Sequence, residues 1–190
     1  MTVPLYQTDS YLREFTAAVT AVDEAAHAVL LDQSAFYPGG GGQPCDQGWL
    51  WVGGEKLPVE KVKKGPEGAL HFLSADCPLP AVGTTLRGEL DWERRYALMR
   101  THTAMHILCG VVFRDYGAQV TGGDMEPLQG RMDFEFEALS KDLVGLIEAA
   151  VNAEVAAAHP VRVQILPREE AFQIPDLIRT KINLLPPGIP

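Results

Sequence analysis

The chain has 190 residues, 46% hydrophobic and 22% charged, a balance that excludes a disordered, collagenous or membrane-spanning protein and leaves one or two folded domains. Sixteen Lys and Arg stand against 25 Asp and Glu, and the net charge of −9 disfavours any function that rests on bulk attraction to nucleic acid. RNA binding would need a local basic patch. The three cysteines, Cys45, Cys77 and Cys109, are an odd set spaced 32 apart, which suits neither a disulfide framework nor a paired-cysteine metal knuckle. Reduced thiols in a cytosolic protein are expected, and the N-terminal stretch MTVPLYQTDSYLREF shows no signal-peptide pattern. The longest apolar run, near Ile107 to Phe113, is far short of the roughly 20 residues needed to span a bilayer.

From Glu14 to about Trp92 apolar and polar residues alternate between frequent turn signals. Strands are predicted through Phe15, Ala17 and Val19, through Ala28 and Leu30, and at Trp49–Val52, Val59–Lys63, Leu70–Leu73 and Thr85–Leu90. Short strands at this spacing predict a small barrel. At Asp91 the pattern changes to a helix with an Asp N-cap and a stop at Gly117, its core-facing stripe being Ala97, Leu98, Ala104, Met105, Leu108, Val111 and Val112. A strand is predicted at Arg131–Glu137, a helix capped by Ser140 running to about Ala158, and a further strand at Val161–Leu166. The fold class is therefore α+β, a β-barrel domain over 1–90 followed by an α+β domain over 91–190.

Two features carry possible chemistry. His102 and His106 lie at i and i+4, so on a helix both imidazoles face one side and could reach one cation; solvated or core-capping histidines are the alternative. A metalloprotease would require Glu after the first His, and Thr103 stands there. The second feature is AFYPGGGGQPCDQG, in which Gly40, Gly41 and Gly42 precede Gln43. Glycines admit close backbone approach, so the loop can cradle an oxyanion, a carboxylate or a ribose, or it is simply a hairpin loop. It lacks the Lys and Ser or Thr of a phosphate-binding P-loop. Read as a peptide-release GGQ tripeptide, Gly41, Gly42 and Gln43 conflict with the acidic balance and the downstream histidine pair. His27, His71 and His159 are expected to be structural or solvated. Lys56, Lys61, Lys63 and Lys64 are expected on a solvated strand face, with nucleic-acid phosphates as the functional alternative. Arg94, Arg95 and Arg100 either touch a nucleic acid or pair with carboxylates.

Taken in order, Phe36, Tyr37, Pro38, Gly40 to Gln43, Asp46 and Gly48, then Arg100, Thr101, His102 and His106, the motifs resemble those of the alanyl-tRNA editing family, in the free-standing AlaX form with an N-terminal barrel. The segments RMDFEF and PVRVQILPREEA extend the resemblance along most of the chain. It implies a small β-barrel joined to the editing domain shared by alanyl- and threonyl-tRNA synthetases. It implies zinc-dependent deacylation of mischarged Ser-tRNA(Ala), with Gly-tRNA(Ala) as a second substrate, and no membrane or DNA partner. A non-catalytic tRNA-binding or synthetase-associated module is the competing reading. On the same resemblance His102 and His106 are metal ligands, Gly40, Gly41, Gly42, Gln43 and Arg100 bind substrate, and Gln43 and Thr121 are the catalytic candidates. The loop Gln119–Gly123 forms the pocket wall, with Gly122 where the synthetases carry Gln. The family completes its zinc site with a CxxxH pair, which is expected here beyond residue 190, the alternative being that this member has lost half of its site. The 190-residue chain is thus expected to lack the C-terminal part of the editing domain, to bind zinc weakly, and to hold its residues after about Pro175 loosely.

The need for such an enzyme follows from elementary energetics. Serine differs from alanine by one hydroxyl, which an apolar synthetic pocket rejects poorly, so a second, hydrolytic site is the usual remedy.

Overall fold

The computed structural model describes residues 1–174. The expectation for the segment after Pro175 falls outside them. The chain divides into two units, Met1–Arg100 with Met125–Leu128, and Thr101–Asp124 with the chain from Gln129 onward.

The first unit is built on strands of two to eleven residues, most of which turn alternate residues inward. After a short β1 (Val3–Pro4) and a 3-10 turn at Leu5–Gln7 come β2 (Glu14–Asp23), β3 (Ala28–Leu31), β4 (Gln33–Ser34), β5 (Gly48–Val52), β6 (Glu55–Gly65), β7 (Gly68–Leu73) and β8 (Thr85–Leu90). β1 pairs with β4 in parallel, and the other six close a barrel in the order β2-β3-β7-β6-β5-β8. Each barrel pair is antiparallel. Closure leaves no unpaired edge in that sheet. Its interior is filled by Phe15, Val19, Leu31, Phe36, Leu50, Leu57, Val59, Val62 and Leu86, all buried. Burial of each such side chain is worth roughly 1.5–3 kcal/mol. Phe15 lies directly opposite Gly88 across β2 and β8, and the ring fills the space that a side chain at 88 would take.

Helix α1 (Trp92–Tyr116) starts where expected: Asp91 Oδ1 accepts from the Arg94 amide at 3.1 Å, and Gly117, at φ 66°, ends it. Leu98, Val111 and Val112 are buried as the stripe requires, whereas Ala104 is exposed.

β9 (Val120–Glu126), which lies in the second unit up to Asp124, and β10 (Gln129–Phe134) form a two-stranded sheet, followed by α2 (Lys141–Ala156) and the single turn α3 (Arg168–Ala171). Ser140 caps α2 by accepting the Leu143 amide at 3.1 Å. Val112, Ala118 and Ile147 are buried together, flanked by Leu108, Phe134, Phe136, Leu143 and Val151. The sequence reading needs two corrections here. Residues 119–123, read as a loop, largely belong to strand β9. Val161–Leu166 is not a strand: Val161, Val163 and Ile165 are 75%, 74% and 71% exposed, because alternation stabilises a strand only when another strand accepts its hydrogen bonds. Among the described residues no helix is long and apolar enough to cross a membrane.

Candidate functional site

The glycine loop belongs to the first unit. Gly39, Gly40, Gly41 and Gly42 all have positive φ, from 62° to 128°, a run that side chains would strain. Gly40 and Gln43 exchange both backbone hydrogen bonds at 3.0 and 3.1 Å, so Gly41 and Gly42 form the two-residue tip of a minimal hairpin. The Tyr37 hydroxyl donates to the Gly40 carbonyl at 2.9 Å, and the Met125 amide, in the same unit, donates to the Gly42 carbonyl at 3.0 Å. Gly40, Gly41 and Gly42 are exposed and Gln43 is half-buried. A glycine tip held from both sides offers backbone N–H and C=O groups to a ligand without a side chain in the way.

The base of this loop is fixed by charge. Asp46 accepts the Tyr37 amide at 2.6 Å, the Arg95 Nε–H shared between its two oxygens at 3.0 Å each, and a further hydrogen bond from Arg95 Nη2. Arg95 also donates to the Ser10 carbonyl at 2.9 Å and the Ala35 carbonyl at 2.6 Å, which satisfies the guanidinium. Both side chains are buried, at 3% and 1% exposure for the two residues. Arg95 is therefore a structural residue and does not reach an acceptor end. Arg94 donates weakly to the Cys45 carbonyl at 3.4 Å, and its Nε is buried without a partner among the described residues. Arg100 is exposed at the end of the first unit's share of α1.

His102 and His106 belong to the second unit, both exposed on α1. Their rings lie nearly parallel, 15° apart in plane, with centroids 4.8 Å apart, as one helical turn dictates. Partial burial, and then the charge of His106, push the His102 pKa below the ordinary imidazole value. His102 is thus neutral near pH 7, the form with a lone pair for a metal. On the same helix Thr101 and Met105 meet the β9–β10 hairpin. A Cβ at Gly130 would come within 2.9 Å of Met105 and 3.3 Å of Thr101, and one at Gly123 within 2.7 Å of the Arg131 carbonyl. Gly123 and Gly130 therefore permit the close seating of the hairpin on the turn that carries the histidines. Thr121 is exposed on β9, in that same unit, and a Cβ at Gly122 would come within 3.1 Å of Asp133 Oδ2.

The histidine pair fits zinc as two of its ligands by donor type and shared helix face. No group of three or more His, Cys, Asp or Glu able to hold a metal exists among the described residues. The other histidines are engaged elsewhere. His71 is buried in the barrel, His27 Nε2 lies 3.1 Å from the Ser74 and Cys77 carbonyls, and His159 lies 3.2 Å from Glu154. Sequence reasoning missed the Asp46–Arg95 tie, because nothing in a linear text links residues 49 apart.

Residues 7–94 match the family model of class II (A) tRNA synthetases. The alanyl-tRNA editing protein AlaX-M of Saccharolobus solfataricus is 40% identical over 193 residues, covering 100% of this chain and 79% of that protein. The AlaX-M protein of Methanosarcina acetivorans is 39% identical over 178 residues, 90% of this chain and 72% of that protein. The alanine–tRNA ligase of Pyrococcus furiosus is 39% identical over 170 residues, 88% of this chain but 18% of the ligase. The chain belongs to the AlaX-M family of alanyl-tRNA editing proteins.

Proposed function

We propose that this chain is an aminoacyl-tRNA deacylase that edits alanine tRNA in trans, hydrolysing the ester of mischarged Ser-tRNA(Ala) and also accepting Gly-tRNA(Ala). Family membership over the whole chain supports the editing activity. The observation that carries the chemistry is the pair of parallel imidazoles, His102 and His106, on one exposed helix face.

His102 and His106 would hold a zinc ion, whose Lewis acidity would serve ester hydrolysis. The remaining ligands are expected in a CxxxH pair beyond residue 190. Gly40, Gly41, Gly42 and Gln43 bind the aminoacyl end, the backbone groups of the tip and the Gln43 amide supplying both donors and acceptors. Such a site gains selectivity from the serine hydroxyl, which leaves a polar partner unpaired when alanine occupies its place. Thr121 contributes a hydroxyl and Arg100 a cation for the acceptor end. A cytosolic location suits a substrate met during translation.

Purified protein incubated with Ser-tRNA(Ala) and Ala-tRNA(Ala) should release serine much faster than alanine. Equal or absent release of serine sinks the reading. Elemental analysis after dialysis checks the metal separately, and a full equivalent of tightly held zinc would place a further ligand inside these 190 residues.

A further inference from the structure

An acidic protein can meet a polyanion only where its cations are gathered. Six lysines occur in the chain, and four of them, Lys56, Lys61, Lys63 and Lys64, stand on the single strand β6, all exposed. The strand turns Leu57, Val59 and Val62 into the core, and the register shifts between Val59 and Lys61. The extra residue at this bulge exposes Glu60 and Lys61 in succession. None of the four lysines has a carboxylate within ion-pair distance among the described residues, so their charge is available to a ligand. Glu55 and Glu60 are the strand's own acids. Burial first, and then these two carboxylates with Asp76, raise the pKa of the Cys77 thiol.

Aromatic rings accompany the cations. Lys56 Nζ lies 3.7 Å from the Trp49 ring centroid and 5.2 Å from that of Trp51, and Lys63 Nζ lies 5.8 Å from that of Phe72. At the far end of the strand, Lys64 Nζ comes within 4.0 Å of where a Cβ on Gly40 would sit, beside the Tyr37 hydroxyl at 3.7 Å from the same point. The cationic strand therefore ends at the glycine loop.

We propose that the exposed face of β6 is the surface along which the sugar-phosphate backbone of the tRNA substrate lies, Lys64 meeting a phosphate next to the nucleotide held at Gly40–Gln43. This rests on the editing function proposed above. Phosphate contacts of this kind position a nucleic acid and carry no sequence information, so Lys61, Lys63 and Lys64 set affinity and register while other residues choose the tRNA.

The test uses the full chain and uncharged tRNA(Ala), with binding followed by fluorescence anisotropy over a range of salt. The triple variant Lys61→Ala, Lys63→Ala, Lys64→Ala should bind at least about 10-fold more weakly at low salt, and its plot of log affinity against log salt should be shallower by about 2. Replacing the same three by Arg should restore both, and Lys141→Ala should change neither. Lys64→Ala alone should raise KM for Ser-tRNA(Ala) and leave kcat unchanged. Unchanged affinity and salt slope in a triple variant that melts like the parent, or a parent chain that does not bind tRNA, overturns the proposal. A parent chain that binds tRNA with the expected lysine dependence yet deacylates nothing overturns the editing function and leaves the binding surface in place.

Discussion

The Ser34 hydroxyl donates to Nε2 of His71 at 2.7 Å, and the same oxygen accepts the Phe36 amide at 3.2 Å. The opposite ring nitrogen, Nδ1, donates to the Val29 carbonyl at 3.3 Å, which fixes the neutral tautomer inside the barrel. Burial, outweighing the hydrogen bonds from the ring to the Val29 and Ala69 carbonyls, drives the His71 pKa down to about 4. Between that value and about 6.5 the unfolded chain holds a proton the folded chain refuses, so stability is complete above about pH 6.5 and declines as the pH falls toward 4. From pH 7 to pH 5 this one residue should remove about 2 kcal/mol. Urea unfolding of the parent and of His71→Gln at both pH values measures it, and equal losses in the two proteins would show that His71 does not titrate as described.

The buried ion pair under the glycine loop makes a prediction of a different kind. Asp46→Ala strands the Arg95 guanidinium in the interior and should cost about 3–5 kcal/mol. Arg95→Ala should cost a similar amount, and the double variant clearly less than the sum, because each single change already forfeits the pair. Denaturant midpoints at pH 7 provide the comparison.

Gly88→Ala should destabilise the barrel by about 1–3 kcal/mol, since the added methyl would lie 2.3 Å from the Phe15 ring. Recovery of the parent's melting temperature in Phe15→Leu, Gly88→Ala, relative to Phe15→Leu alone, would identify the ring as the source of the clash.

His102→Ala and His106→Ala should each abolish deacylation of Ser-tRNA(Ala) while changing stability by no more than about 0.5 kcal/mol, because both side chains are exposed. Full activity in either variant would remove the metal role assigned to the pair.

Gln43→Ala should lower turnover more than stability, the lost hydrogen bond being worth about 0.5–1.5 kcal/mol in the reaction barrier. Single-turnover deacylation and thermal unfolding on one preparation separate the effects. A large fall in melting temperature with a normal rate per folded molecule would make the loop a structural device.

Local signals were the legible part of this fold. Asp91 and Gly117 mark α1 because capping chemistry acts within one turn, and the alternation in Glu14–Asp23 and Thr85–Leu90 marks strands because it matches the pleat. β9 escaped notice because Val120–Glu126 contains Gly122 and Gly123, which have little strand propensity of their own and are held there by β10. Val161–Leu166 erred the other way, its alternation being genuine but its partner absent among the described residues. The approach of His102 to His106 follows from helical pitch alone, whereas the approach of Lys64 to Gly40 depends on barrel closure and is written nowhere in either segment.

All three tryptophans, Trp49, Trp51 and Trp92, lie in the first unit, each with a lysine or arginine over its ring. Their intrinsic fluorescence therefore reports on the first unit, the barrel and the start of α1, and is blind to events confined to the second unit. Circular dichroism at the helical wavelength weighs the second unit more heavily, through α2 and most of α1. Superimposable unfolding curves by the two optical probes would mean that the halves melt as one cooperative body, and separated curves would assign each transition to its half without labelling the protein.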